Sequence, residues 1–209
     1  MLPVVRTILH IRFLCAIVII CSAVLLVSYK GNAQSFGDPI VKITFGSGSS
    51  QYAGPLKPDS GYTDYFYVNK SPEDNDYTIA NSTIGMNTAW VQTRDHTGDT
   101  NGMMMIVNAS YQPGLFYTRT VTGLCGGTEF QFSAWIKNIL RRTNGILPNV
   151  TFTIEDLSGN FLGGGNTNNV FATDTWEQYR FAFKTPANVQ TVVLKMINNA
   201  PGAGAMIWL

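Results

Sequence analysis

Residues 130–137 read Phe-Gln-Phe-Ser-Ala-Trp-Ile-Lys, an alternation of apolar and polar side chains with one tryptophan on the polar side. Successive side chains of a β-strand point to opposite faces of a sheet. The stretch therefore predicts a strand that turns two phenylalanines, Ala134 and Ile136 toward a core. Its other face presents polar side chains together with Trp135.

Two later stretches repeat this pattern. In residues 150–155, three apolar side chains alternate with two threonines and Glu155. In residues 176–183, three aromatic side chains alternate with Gln178, Arg180 and an alanine. Each stretch predicts a strand with one buried and one polar face.

Strand-like runs recur along the whole chain, and loop sequences rich in Gly, Asn, Asp and Ser separate them at 46–50, 71–76, 97–102 and 163–166. The candidate strands are Ile40–Phe45, Tyr62–Val68, Thr88–Thr93, Met103–Asn108, Leu115–Val121, Phe130–Lys137, Val150–Glu155, Trp176–Phe183, Thr191–Ile197 and Met206–Leu209. No segment carries a helical period. The pattern predicts an all-β fold, a two-sheet antiparallel β-sandwich of the jelly-roll kind.

The N-terminus is typical of a secretion signal. Arg6 and Arg12 form a basic leader, and an apolar run without a charge extends to Val27. A membrane helix needs about 20 apolar residues, so this run is short for a span. Small residues at Gly31 and Ala33 fit a cleavage site, and we expect residues 1–33 to be removed. An uncleaved N-terminal anchor is the alternative.

Removal of the leader changes the chemistry of what remains. Three of the 14 Lys and Arg residues lie in the leader, whereas all 13 Asp and Glu residues follow it, so the mature chain has a net charge near −2. Such a charge offers no attraction to nucleic acid or to an anionic membrane. His96 is the one histidine left, which disfavours a His-rich metal site. We therefore expect a secreted or cell-surface domain at residues 34–209.

The mature chain also keeps a single cysteine, Cys125. Exposed single thiols are uncommon in oxidising compartments. We expect its disulfide partner to lie beyond Leu209, and a buried free thiol is the alternative. The chain ends on Met206–Leu209, which reads as a strand, so we expect the jelly roll to be C-terminally incomplete here and to continue into further domains.

Several stretches together resemble one family. Phe130–Asn138 is similar to the central strand of carbohydrate-binding modules of the family 4/9 type, and Thr175–Phe183 and Val192–Met196 are similar to their following strands. The ending Met206–Leu209 matches the point where such modules continue with two aspartates, which are missing here. The stretch Asp95–Met104 is similar to N-terminal modules of large surface proteins of gliding Bacteroidetes. The resemblance implies a galactose-binding-like jelly roll, often with a structural calcium.

Trp135 is the first candidate for ligand binding. A tryptophan on the polar side of a strand offers a flat surface on which the C–H face of a sugar can stack. The competing interpretation is that loops cover that face and that Trp135 packs beneath them. On the polar sides of the predicted strands, further candidates are Lys137, Glu155, Gln178, Arg180, Tyr117 and Arg119. They form one groove only where their strands share a sheet.

Asp95 and His96 invite a catalytic interpretation, but adjacent strand residues point to opposite faces and no second catalytic group accompanies them. We expect no catalytic site. Calcium binds carboxylate and carbonyl oxygens in turns. Asp38, Asp95 and Asp99 are therefore the candidate ligands for a structural calcium, and no other cofactor is required.

The sequence thus favours a non-catalytic extracellular module, carbohydrate-binding or adhesive, within a larger secreted or surface protein. Its partners would be a glycan or surface polysaccharide and the further domains of a longer chain. One alternative is a structural spacer or protein-adhesion domain that binds no glycan. Another is a glycan-active hydrolase, which needs two acids on one face, where only Glu155 is evident.

Overall fold

The computed structural model describes residues 39–141, 146–199 and the backbone of 205–208. The predicted leader at residues 1–33 and the candidate ligand Asp38 lie outside these ranges. In the described part of the chain, no helical segment has the length and apolar character that a membrane crossing requires. The strands are β1 (Phe66–Tyr67), β2 (Asp76–Ala80), β3 (Met104–Asn108), β4 (Gly114–Val121), β5 (Glu129–Asn138), β6 (Asn149–Glu155), β7 (Phe161–Asn169), β8 (Glu177–Lys184), β9 (Val192–Asn198) and β10 (Ala205–Trp208).

The strands are hydrogen-bonded in the order β1-β2-β3-β10-β5-β8-β7-β6-β9-β4. All pairs are antiparallel except β1 with β2. The register between β7 and β8 consists of one pair, Gly163 opposite Phe183. The ladder therefore divides at this junction into a six-strand part, which contains β5, and a four-strand part, which contains β6.

The two parts pack face to face around one core. The rings of Phe132 on β5 and Phe152 on β6 lie 5.3 Å apart, although two strands separate β5 from β6 in the ladder. On β6 every second side chain is buried, at Val150, Phe152 and Ile154. The predicted β-sandwich and the predicted inward faces of these strands are confirmed.

An irregular segment, residues 83–102, begins over the outer side of β2 and β3. A second apolar cluster lies there, in which Trp90 is 3% exposed and packs with Met104 and Ile106 of β3. The backbone amide of Val91 donates to the carbonyl of Ile139 just after β5, at 2.7 Å. The candidate strand Thr88–Thr93 is therefore a covering segment with one isolated bridge at Trp90, not a strand of the sandwich.

The Gly-Gly-Gly-Asn stretch at residues 163–166 was predicted as a loop, and that prediction is wrong. It forms the middle of β7, where the strand approaches its neighbours too closely for side chains. A Cβ on Gly164 would lie 2.1 Å from the carbonyl oxygen of Phe152, and a Cβ on Gly165 would lie 2.5 Å from the Phe181 ring. Glycine is thus required by packing here, not by a turn.

The start of the domain also differs from the prediction. Residues 40–45 form no strand; Ile43 and Phe45 pack against the core from an irregular segment that is attached through an isolated bridge at Ser47. Within the candidate strand Tyr62–Val68, only β1 is regular. Strand β2 was missed, because its first residue fell in a stretch with turn composition.

Cys125 is exposed and unpaired in the described residues. It follows β4, and its backbone carbonyl accepts a hydrogen bond from the Thr185 hydroxyl at 2.8 Å. The alternative of a buried thiol is therefore wrong. A disulfide partner beyond Leu209 stays a prediction.

Candidate functional site

The outer surface of β5 and β8 brings together several of the predicted residues. In the antiparallel register, Trp135 lies opposite Gln178, and Ser133 lies opposite Arg180. Directly paired residues share a face of the sheet. These four side chains therefore form one contiguous surface, which we call the Trp135 face.

A loop from residues 93–102 adds an aromatic side chain to this face. The His96 ring lies 4.6 Å from the Trp135 ring at an interplanar angle of 52°, and 5.9 Å from the Trp176 ring at 84°. The Trp176 indole N–H donates to the carbonyl of Arg94 at 3.3 Å. All three aromatic side chains are partly exposed. Trp135 is thus neither an open platform nor a core residue but one wall of a half-buried aromatic cluster.

The loop that carries His96 is held by local hydrogen bonds. The Arg94 guanidinium donates to the carbonyl of Thr100 at 2.7 Å, and the Thr97 hydroxyl donates to Asp95 Oδ2 at 2.6 Å. The Asp95 carboxylate also packs against the backbone of Gly102, where a Cβ would lie 2.0 Å from Oδ2. These contacts within residues 94–102 fix the shape of the loop.

Gln178 and Arg180 supply the polar edge of the Trp135 face. The guanidinium of Arg180 donates through Nε to Gln178 Oε1 at 2.9 Å, and its Nη2 contacts the same oxygen. The Gln178 amide in turn donates to the Ser133 hydroxyl at 3.4 Å. Arg180 remains exposed. The pair therefore presents oriented donors next to the aromatic cluster.

Lys137 is placed differently from the expectation that it would line an open groove. It is 6% exposed, and its ammonium donates to the carbonyl of Asp174 at 2.8 Å and to the Thr93 hydroxyl at 3.4 Å. Burial lowers the pKa of this amine, and the nearby Asp174 carboxylate opposes that shift. Through these two hydrogen bonds the Lys137 amine links the segment that contains Thr93 to the segment that contains Asp174, and both segments lie beside the aromatic cluster.

Glu155 does not join the Trp135 face. It lies on β6, in the four-strand part, and its carboxylate accepts from Lys195 Nζ at 2.6 Å. Phe132 and Phe152 meet across the core, so the outer faces of β5 and β6 point away from each other. The condition that the predicted residues share one sheet surface therefore fails for Glu155.

Tyr117 was expected on a polar outer face, and that prediction is wrong. It is fully buried opposite Met196, and its phenol donates to the carbonyl of Ser60 at 2.6 Å. A bulge between Leu115 and Tyr117 shifts the alternation of β4 and turns this side chain inward. Burial raises the pKa of Tyr117 to about 12.

Arg119 lies on the same side of β4 as Tyr117. It lies opposite the buried Leu194, is partly exposed, and its charge and a hydrogen bond act on the Tyr117 phenol. Strand β4 is at the far end of the ladder from β5. Neither residue is therefore part of the Trp135 face.

Of the candidate calcium ligands, Asp95 and Asp99 lie on the loop 93–102 and are engaged in local hydrogen bonds, and Asp38 lies outside the described residues. Asp99 accepts the backbone amide of Asn101 at 2.9 Å, and this bond, with one from the Ser47 hydroxyl, lowers the pKa of Asp99. Among the described residues, no three His, Cys, Asp or Glu side chains are grouped to hold a metal ion. Calcium at Asp38, Asp95 or Asp99 stays a prediction.

Two members of the aromatic cluster, Trp176 and His96, were not predicted from the sequence as part of a ligand-binding surface. Trp176 precedes Gln178 by two residues, and alternation places both on one side. That signal was available. His96 gave none, because its position depends on a loop that crosses from β2 and β3 to β5.

The comparisons with known proteins bear on the fold. No family model and no curated protein matches the chain. A Stig cyclase from Fischerella sp. TAU superimposes with a TM-score of 0.50 at 13% identity, over 83% of this chain and 89% of that one. At this identity the likeness is one of fold.

Two further structures are similar over smaller shares. A carbohydrate-binding module, CBM4, gives a TM-score of 0.39 at 15% identity, over 63% of this chain and 81% of that one. The enzymatically active domain of bacteriophage CBA120 tailspike protein 4 gives 0.43 at 12% identity, and the match spans 66% of this chain but 17% of the tailspike chain.

Proposed function

We propose that this domain is a non-catalytic extracellular module that binds glycan on the Trp135 face. The observation that carries the proposal is the aromatic cluster of Trp135, His96 and Trp176 beside the oriented side chains of Gln178 and Arg180. Sugar rings have apolar C–H faces that pack on aromatic rings, and hydroxyl rims that bond to amide and guanidinium groups. The face offers both kinds of group within one surface.

The sequence supports the same proposal independently. The resemblance of residues 130–138 and 175–183 to carbohydrate-binding modules of the family 4/9 type falls on β5 and on β8 with its approach, the two strands that build the Trp135 face. The secretion signal expected at residues 1–33 would bring the domain to the cell surface or the medium. In this proposal the domain is one part of a longer secreted or surface protein.

The arrangement of acids favours binding over hydrolysis. Glycoside hydrolysis uses two carboxyl groups that flank one bond. Glu155 lies on the opposite side of the sandwich, and Glu177 lies opposite Ile136 on the other side of β8 from the Trp135 face, where its carboxylate accepts the Tyr179 phenol at 2.6 Å. These two carboxylates therefore do not form a pair, and the proposed role is recognition without chemistry.

Two contacts favour a structural or protein-adhesion role instead. Part of the Trp135 surface is covered by His96, and the buried Lys137 fixes the adjoining segments. In a spacer domain the same contacts would serve packing alone. The two roles differ in whether the exposed part of the aromatic cluster has a ligand.

A glycan array followed by calorimetric titration decides between them. Affinity should lie in the micromolar to millimolar range, roughly, because a shallow surface buries little of a ligand. We expect Trp135→Ala and Trp176→Ala to weaken binding about tenfold or more, which is about 1.4 kcal/mol. The matched control is Tyr111→Ala, because Tyr111 is a 63% exposed aromatic side chain outside the cluster.

Gln178→Ala tests the same face if the tryptophan variants fail to fold. It removes a partly exposed polar side chain next to Trp135, and its loss should not disturb the core. Loss of glycan affinity in a folded Gln178→Ala protein would support the proposal. A chain that binds nothing on the array, or folded Trp135→Ala and Gln178→Ala proteins that bind as tightly as the parent, would refute it in favour of the structural role.

A further inference from the structure

A second concave site lies at the other end of the six-strand part. It is an open cleft of about 690 Å³, a volume in the range of small-molecule sites, and its walls are the irregular segments 44–50 and 52–57 together with Ser60. Ile79 of β2 and Met103 form its floor. None of the Trp135-face residues lines it. We call it the Lys57 cleft.

The walls of the Lys57 cleft are positioned by side chains from the sandwich below. The phenol of Tyr67 donates to the carbonyl of Ala53 at 2.5 Å, and the phenol of Tyr77 accepts from the amide of Leu56 at 3.0 Å. These bonds replace the ladder that a regular strand would provide. One wall is therefore held by two tyrosines of β1 and β2.

The ends of the walls are fixed in the same way. Tyr117 donates to the carbonyl of Ser60 at 2.6 Å. The side-chain amide of Asn81, which is 7% exposed, donates to the carbonyls of Gly48 and Ser50 at 3.1 and 3.2 Å. A loop held on a rigid scaffold keeps its shape before a ligand arrives, which lowers the entropic cost of binding. The cleft is therefore preorganised.

The chemistry of the lining is that of a site for a small, hydroxylated anion. Ser49 and Ser50 bring hydroxyl groups to the lining, above an apolar floor, whereas the hydroxyls of Ser47 and Ser60 bond to the carboxylates of Asp99 and Asp59. Lys57 is the one Lys, Arg, Asp, Glu or His side chain among the lining residues. A sugar acid matches this set, because its hydroxyls suit the serines, its C–H face suits the floor and its carboxylate suits the ammonium.

We propose that the Lys57 cleft binds a sugar acid, a uronate unit, with its carboxylate on Lys57. This site is separate from the Trp135 face and does not depend on the function proposed for it. The exposed ammonium of Lys57 gives charge selectivity rather than high affinity, since exposed ion pairs are weak. The cleft therefore distinguishes an acidic sugar from its neutral counterpart.

The test is titration of the full secreted chain with galacturonate, followed by NMR chemical shifts of residues 44–60. Galactose and inorganic phosphate are the comparators. We expect galacturonate to bind with a Kd on the order of millimolar and at least about fivefold more tightly than either comparator, because only galacturonate uses both the hydroxyls and the charge.

Lys57→Gln should abolish the preference for galacturonate over galactose, whereas Lys42→Gln, which removes an exposed lysine outside the cleft, should keep it. Trp135→Ala should leave this binding unchanged. No shifts at residues 44–60 with galacturonate, equal binding of galacturonate and galactose by the parent, or equal effects of the two lysine variants would overturn the proposal. Phosphate binding as tight as galacturonate binding would reduce the site to a plain anion contact and would also overturn it.

Discussion

The His96 ring rests 4.6 Å from the Trp135 ring, although 39 positions separate the two residues in the sequence. The contact is made because residues 83–102 first cover the outer side of β2 and β3 and then reach β5. It converts a flat tryptophan surface into a corner with two aromatic walls. The width of the Trp135 face is thus set by a loop, not by the sheet.

Removal of this wall should affect binding more than stability. We expect His96→Ala to lower glycan affinity about threefold to tenfold, because a stacking surface is lost, and to lower the free energy of unfolding by less than about 1 kcal/mol at this partly exposed position. Calorimetry and urea unfolding measure the two effects. Unchanged affinity together with a fall of several kcal/mol would show that His96 serves packing.

Tyr117 should make the domain sensitive to alkali. Its pKa is about 12 in the folded state, against an ordinary value of 10.0. The folded state therefore keeps the proton longer, and the stability from the neutral phenol is full below pH 10 and is lost as the pH rises toward 12. Urea unfolding between pH 8 and 12 should show a shallower decline for Tyr117→Phe than for the parent.

The same variant should be less stable at neutral pH by about 1 kcal/mol, because the hydrogen bond to the Ser60 carbonyl is lost. Tyr62→Phe is the control, since Tyr62 is 61% exposed. Parallel pH profiles for the parent and Tyr117→Phe would contradict the assignment.

Lys137 should have the opposite dependence on pH. Burial lowers the pKa of its amine below 10.5, so the folded state releases this proton before the unfolded state does. The cost of burying the charge is full at neutral pH and is relieved as the pH rises toward 10.5. Lys137→Met should therefore be as stable as the parent or more stable at pH 7, by up to about 1 kcal/mol, and should lack this rise.

The acceptors left by that variant, the Asp174 carbonyl and the Thr93 hydroxyl, belong to residues that reach solvent. Thermal and urea unfolding at pH 7 and pH 9.5 provide the measurement. Destabilisation of Lys137→Met by more than about 2 kcal/mol would mean that the two hydrogen bonds outweigh the cost of burying the charge.

The glycines of β7 should tolerate no side chain. Gly164 has a φ of 136°, and an added Cβ would lie 2.1 Å from the carbonyl oxygen of Phe152. We expect Gly164→Ala to lower the free energy of unfolding by about 2–4 kcal/mol, from overpacking and an unfavourable backbone conformation. Gly54→Ala, with open space around the new Cβ, should change it by less than about 0.5 kcal/mol. Equal effects would contradict the close approach of β6 and β7.

Cys125 should react with a thiol reagent in the folded protein, because its side chain is exposed. A colorimetric disulfide reagent added without denaturant should modify it completely, and Cys125→Ser should show no reaction at this position. Reaction only after unfolding would contradict its exposure. In a longer natural chain, loss of this reactivity would support the predicted disulfide partner beyond Leu209.

Local alternation in the sequence determined the strands that build the sandwich. In β6 the burial alternates strictly, and in β5 and β8 the apolar side chains share the inner face, so that Phe132, Phe152 and Phe183 are buried as predicted. The neighbourhood of Trp135, Gln178 and Arg180 was also predictable, since it needs only that β5 and β8 pair. Short-range periodicity specifies a face because each side chain's direction follows from its neighbour.

The tertiary structure decided what periodicity does not encode. A single bulge turned Tyr117 into the core, and the glycines at 163–165 lie within a strand because neighbouring strands leave no room for side chains. Sheet membership separated Glu155 from Trp135, and a crossing loop brought His96 to it. These outcomes depend on contacts between residues that are distant in sequence. Which of those contacts form is determined by the packing of the whole core rather than by any local pattern.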